Sequence, residues 1–208
     1  MRKRLFMACV LVPLTCTLAG PGRAESPYRL SGSKDGWIAG GSVAAGGISI
    51  ALSRTPTPLT IREVEQLSRE SVPGFDRGAT YHYSEEISKA SGVLVGVVAA
   101  APVVLLLDTG VRDDWETCGL MYAETMAIAI ILPAYGKGTV QRIRPFVYNP
   151  DAPMAAKTTS DAKKSFFSRH VCAAFASATF LSTVYGDYHP GSGAKPYVWA
   201  GSLLAATA

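Results

Sequence analysis

At 208 residues the chain is long enough for one domain with a sizeable core. Only 17% of its residues are charged and its mean hydropathy is +0.18, which leans towards a membrane protein. The net charge of +4 gathers at Arg2-Lys3-Arg4 and in one central connector; it does not spread along the chain as a stripe, and no nucleic-acid-binding signature accompanies it.

Residues 1–24 read as a secretory signal, with Arg2, Lys3 and Arg4 as the positive region, an apolar region from Leu5 to Ala19, and Gly22-Arg23-Ala24 as a small-residue cleavage site. The competing reading is an uncleaved first membrane anchor, for which the apolar run is short. Cys9 and Cys16 fall in this segment. Cys118 and Cys172 fall in two separate apolar stretches without metal-ligand spacing, and read as buried thiols.

Alanine and glycine are abundant and β-branched runs are short, so the apolar stretches predict helices. Residues 36–53 form an uncharged run just long enough to cross a bilayer, with small residues spaced for close helix packing. A polar connector follows. Within it Thr60-Ile61-Arg62-Glu63 has the form of a capping box, and Ile61, Val64 and Leu67 recur at helical spacing up to a stop at 71–74. Residues 90–107 carry no charge and make the strongest transmembrane candidate, with Pro102 expected to bend it. The next candidate, 118–135, is interrupted by Glu124, a carboxylate expected to face a protein interior, a wet cavity or a basic partner. Residues 171–186 are again apolar, and after a loop with His189 a last apolar run stops at Ala208 without a cap or polar tail. The expectation is an all-α chain, multi-pass in a membrane and C-terminally incomplete. It divides into the signal, a helix and polar connector over 25–84, and a domain over 85–208.

The connector over 137–170 holds seven Lys or Arg against two Asp, a surplus larger than the charge of the whole chain. Lys137 and Arg144 are seven residues apart, so a helix through both would put the two cations on one face. Pro145 biases Arg144 out of the α region. Arginine offers a planar fork for two phosphate oxygens and lysine a compact charge, which suits phosphoryl transfer. Ser168 adds a hydroxyl and a cap for the helix that follows, whose free N–H groups favour an anion. His170 at that helix start is placed to protonate a leaving alkoxide. The duller readings are cations snorkelling to headgroups and a cap without catalysis.

Lys137-x6-Arg144-Pro145 and Phe167-Ser168-Arg169-His170 resemble two motifs of the type 2 phosphatidic acid phosphatase and vanadium haloperoxidase superfamily, Lys-x6-Arg-Pro and Pro-Ser-Gly-His. Phe167 and Arg169 depart from the second. Arg169 replaces a glycine that lets backbone approach phosphate, while adding a cation. The third motif, Ser-Arg-x5-His-x3-Asp, carries the family's nucleophilic histidine and does not occur in the 208 residues. His82 and His189 do not substitute for it and read as loop residues.

The resemblance implies a helical bundle with the site on the non-cytoplasmic face, facing the periplasm from a bacterial inner membrane, and no metal cofactor. It implies hydrolysis of a phosphomonoester or diphosphate, of a lipid or a small phosphoester, through a phosphohistidine. Lys137, Arg144, Ser168 and Arg169 would bind phosphate and His170 would be the general acid. The chain as given is expected to be inactive. Counting crossings after a cleaved signal puts the connector in the cytoplasm instead, and both orientations stay open. The alternatives are a non-catalytic membrane protein that binds phospholipid headgroups and a soluble periplasmic acid phosphatase.

Overall fold

The computed structural model describes residues 26–52 and 56–207; the predicted signal, with Cys9 and Cys16, lies outside the described residues. Among the described residues every regular element is helical, as the composition predicts. The α-helices are α1 (Gly32–Leu52), α2 (Ile61–Glu65), α3 (Gly74–Arg77), α4 (Glu85–Ala100), α5 (Thr109–Asp113), α6 (Trp115–Val140), α7 (Met154–Lys157), α8 (Arg169–Tyr188) and α9 (Lys195–Thr207).

Helix α8 is the centre of the bundle, packed against α4, α6 and α9. Its contacts use small polar residues that let the backbones approach. Ser177 meets the Tyr122 hydroxyl of α6 at 2.7 Å, and that hydroxyl donates to Ala99 O of α4 at 2.5 Å. Ser182 meets Ser202 of α9 at 2.6 Å. One apolar core joins Leu105, Val111, Cys118, Phe180 and Val184 near the C-terminal end of α8. A second joins Leu59, Val64, Val147 and Ala162 beside the basic connector. Helix α1 lies along α6, where a Cβ added at Gly46 would sit 3.5 Å from Ile131 Cδ1.

Two helical stretches, Glu85–Leu107 and Trp115–Val140, are long and apolar enough to cross a membrane, and little of either is buried. The first starts earlier than the uncharged run because Ser84 caps it, accepting from the Ile87 N–H at 3.2 Å. Pro102 does not bend an α-helix; it stands at the start of a tighter 3-10 stretch, Ala101–Leu107, where its missing N–H is not needed. The second stretch is longer than predicted at both ends and keeps Pro133 inside it, so that Lys137 rides on its last turn. Glu124 is half-buried, and its Oε1 is buried without a hydrogen-bond partner.

The capping box forms: Thr60 Oγ1 accepts from the Glu63 N–H at 3.3 Å and Glu63 Oε2 accepts from the Thr60 N–H at 2.7 Å. The helix ends at Glu65, short of the predicted stop, and its expected apolar face is incomplete. Val64 is buried and Leu67 packs on the second core, but Ile61 is 55% exposed.

Candidate functional site

Helix α6 ends because Gln141 takes the left-handed conformation, φ 48° and ψ 39°. This overturns the expectation that Lys137 and Arg144 share a helix face. Arg144 lies beyond the helix in extended backbone, φ −72° and ψ 143°, as Pro145 requires. Loop closure brings the two cations together instead. The Arg144 N–H donates to Ala162 O at 2.7 Å and the Ser165 N–H donates to Arg142 O at 3.0 Å, folding the connector back on itself.

The returning chain lands on Gly136. A Cβ there would stand 2.7 Å from Phe166 Cδ1 and 3.0 Å from Phe167 Cε1, so only glycine admits the two rings, which meet edge to face at 5.0 Å. Lys137 follows Gly136 on α6, and Arg169 follows the two rings by two residues along the connector, so the contact brings these two cations near each other. Half-buried Lys137 lies within electrostatic range of Arg144, Arg169, Asp161 and the Cys172 thiol.

Ser168 is the N-cap of α8, as predicted, and accepts from the Val171 N–H at 3.4 Å. Its own hydroxyl hydrogen remains available to donate. Arg169 and His170 are the first residues of α8 and both are exposed. At the helix start, backbone N–H groups lack intrahelical partners and carry the positive end of the helix dipole. His170 opens on a groove of about 190 Å³ floored by Val98 and Ala174, with Leu94, Val171 and Ala206 among its walls. Ala205, Ala206 and Thr207 at the end of α9 line the same groove.

Arg144 Nη2 lies 3.1 Å from Asp161 Oδ1 and 3.0 Å from Oδ2, while its Nε is buried without a partner. Asp161 enters the sequence reading only as one of two acids offsetting seven cations. Its closeness to Arg144 across seventeen residues depends on the Arg144–Ala162 backbone bond, which no local signal announces. Arg142 belongs elsewhere, pairing with Asp76 of α3.

Of the other residues singled out, His82 is exposed and follows a short 3-10 turn. His189 is more than a loop residue. It caps the C-terminus of α8, stacks on Tyr185 with ring centroids 4.6 Å apart, and brings Nε2 within 3.2 Å of Asp108 Oδ2. It stands at the opposite end of α8 from His170. Cys118 is buried as expected, whereas Cys172 is partly exposed near the cations.

Neither the curated proteins nor the solved structures provide a match to the chain. A family model does: that of the PAP2 superfamily matches residues 119–208, from the second residue turn of α6 through α9, and so takes in the whole basic connector. Over these residues the chain is similar to the PAP2 superfamily, whose members are phosphatases.

Proposed function

We propose that the complete protein is a membrane-embedded phosphatase of lipid phosphomonoesters or diphosphates, with residues 85–208 forming most of its catalytic domain and the site facing the periplasm. Lys137, Arg144 and Arg169 neutralise the phosphoryl oxygens, and Ser168 donates a hydrogen bond to one of them. His170 gives its proton to the leaving alkoxide as the bond from phosphorus to the ester oxygen breaks. A histidine of an Arg-x5-His-x3-Asp segment, which the 208 residues do not contain, attacks phosphorus and carries the phosphoryl group until water takes it.

One observation carries this reading: Lys137, at one end of the connector, lies within electrostatic range of Arg144 and of Arg169 near the other end, and His170, the residue after Arg169, opens on an apolar groove. A phosphate held by the cations leaves the groove free for the first carbons of a hydrocarbon chain, and a water-soluble ester has no use for it. The end of α9 lines the same groove, so a nucleophilic segment following it would enter beside His170. The two little-buried apolar stretches favour a membrane setting over a soluble acid phosphatase.

The test uses the 208-residue chain in detergent, titrated with orthovanadate and, separately, sulfate. Vanadate mimics the phosphoryl transition state and is expected to bind far more tightly than sulfate, with the preference lost in Lys137→Ala and Arg144→Ala. No turnover of a phosphomonoester is expected without the missing motif. Equal binding of the two anions would leave a headgroup-binding protein as the better account.

A further inference from the structure

Asp161 pairs with Arg144 and lies within electrostatic range of Lys137, two of the proposed phosphate ligands. We propose that Asp161 is a competing anion, holding Arg144 until a phosphoryl group displaces it and thereby setting the affinity of the site. The inference rests on the phosphate-site reading above and adds a residue to it.

The geometry is that of a pair made to be exchanged. A strong arginine–carboxylate pair is a fork on a fork, two nitrogens each meeting one oxygen. Here both Asp161 oxygens approach the same nitrogen, Nη2, at 3.1 Å and 3.0 Å. The Nε of Arg144 is buried without an acceptor, so Asp161 leaves part of the guanidinium unpaired. The Asp161 side chain is 58% exposed, and pairs so open to water are worth little.

Arg144 does not need Asp161 to hold its place. Its amide is bonded to Ala162 O at 2.7 Å, Pro145 fixes its extended backbone, and part of its guanidinium is already buried. Asp161 is held only through its backbone, in the turn Ser160–Lys163 beside the fully buried Ala162. Its side chain can therefore swing to solvent while the loop stays where it is. Asp161 pairs with Arg144 and lies within range of Lys137, so one carboxylate offsets part of the field of both cations. A phosphoryl dianion draws on the same two cations with twice the charge, which lets it win the exchange. When free phosphate is the product, the returning carboxylate competes again and hastens its release.

The experiment measures orthovanadate and inorganic phosphate binding to the 208-residue chain by calorimetry at low salt. The chains compared are the unaltered one, Asp161→Asn, Asp161→Glu and Arg144→Ala. Asp161→Asn keeps the shape and removes the anion, and is expected to tighten both ligands by about fivefold. Asp161→Glu keeps the anion and is expected to stay near the unaltered value, which separates competition from a structural role. Added chloride should narrow the gap between the unaltered chain and Asp161→Asn, since screening weakens both attraction and competition. Weaker or equal binding in Asp161→Asn, with Arg144→Ala still losing affinity, overturns the competing-anion role alone. Binding that Arg144→Ala leaves intact overturns the phosphate site and this inference with it.

Discussion

Replacing Gly136 by alanine tests whether the connector is assembled by the contact at that residue. In an exposed helix interior the change is stabilising by about 1 kcal/mol, because alanine loses less backbone freedom. At Gly136 the new methyl would meet Phe166 Cδ1 at 2.7 Å, Phe166 Cε1 at 3.1 Å and Phe167 Cε1 at 3.0 Å. Overpacking of this kind costs about 1–3 kcal/mol, and turning the rings apart gives up an edge-to-face pair worth about 0.5–1.5 kcal/mol. The net expectation is destabilisation by about 1–2 kcal/mol, or a few degrees in melting temperature for a chain of this size. Gly119 supplies the control, since it is exposed on the same helix and a Cβ there has only Trp115 Cε3 within 4 Å, at 4.0 Å. Gly119→Ala should be neutral or stabilising. Thermal unfolding in one detergent, followed by circular dichroism, measures both, and vanadate titration of Gly136→Ala should show weaker binding because Ser168 follows directly after the displaced rings. A Gly136→Ala chain as stable as Gly119→Ala, with undiminished vanadate affinity, would refute the assembly argument.

Two further outcomes follow from the contacts away from the connector. Burial pushes the Asp114 carboxyl up, but hydroxyls of Ser26, Thr117 and Tyr188 outweigh it and hold the group below the ordinary range. A depressed carboxyl stabilises the fold fully above its unfolded value, about 3.9, and loses that contribution as the pH falls through the lower folded value. Tyr188→Phe removes one donor, so its stability should fall less between pH 5 and pH 2 than that of the unaltered chain; an identical acid limb in denaturant titrations would count against this account. Thr60→Ala removes the reciprocal cap of a five-residue helix, at a cost of about 1 kcal/mol, and should speed amide exchange over residues 61–65 while leaving α8 protected.

The sequence predicted elements better than it predicted neighbours. Helices were readable in the alanine- and glycine-rich apolar runs, and Ser168, Thr60 and Pro145 announced caps and a break because their effects act on adjacent backbone. Ile61 had the right spacing for a buried face, yet the helix is too short for that face to be completed. Lys137 and Arg144 do converge, by loop closure and not by the helical spacing that suggested it. Asp161 and His189 found their partners, Arg144 and Asp108, through tertiary folding across long stretches of chain. Such pairings leave no periodic trace.

Helix α8 carries Ser168 and His170 at one end, while its other end is fastened by Tyr28 to Asp187, Asp114 to Tyr188 and Asp108 to His189. Twenty residues of helix make a rod of about 30 Å. If such a rod pivots at its fastened end by about 5°, its tip moves by about 2.5 Å, more than the roughly 1 Å of misplacement that already impairs a reacting geometry. Under the proposed role of His170, its aim would thus depend in part on the far side of the bundle, on carboxylates and phenols distant from the proposed site.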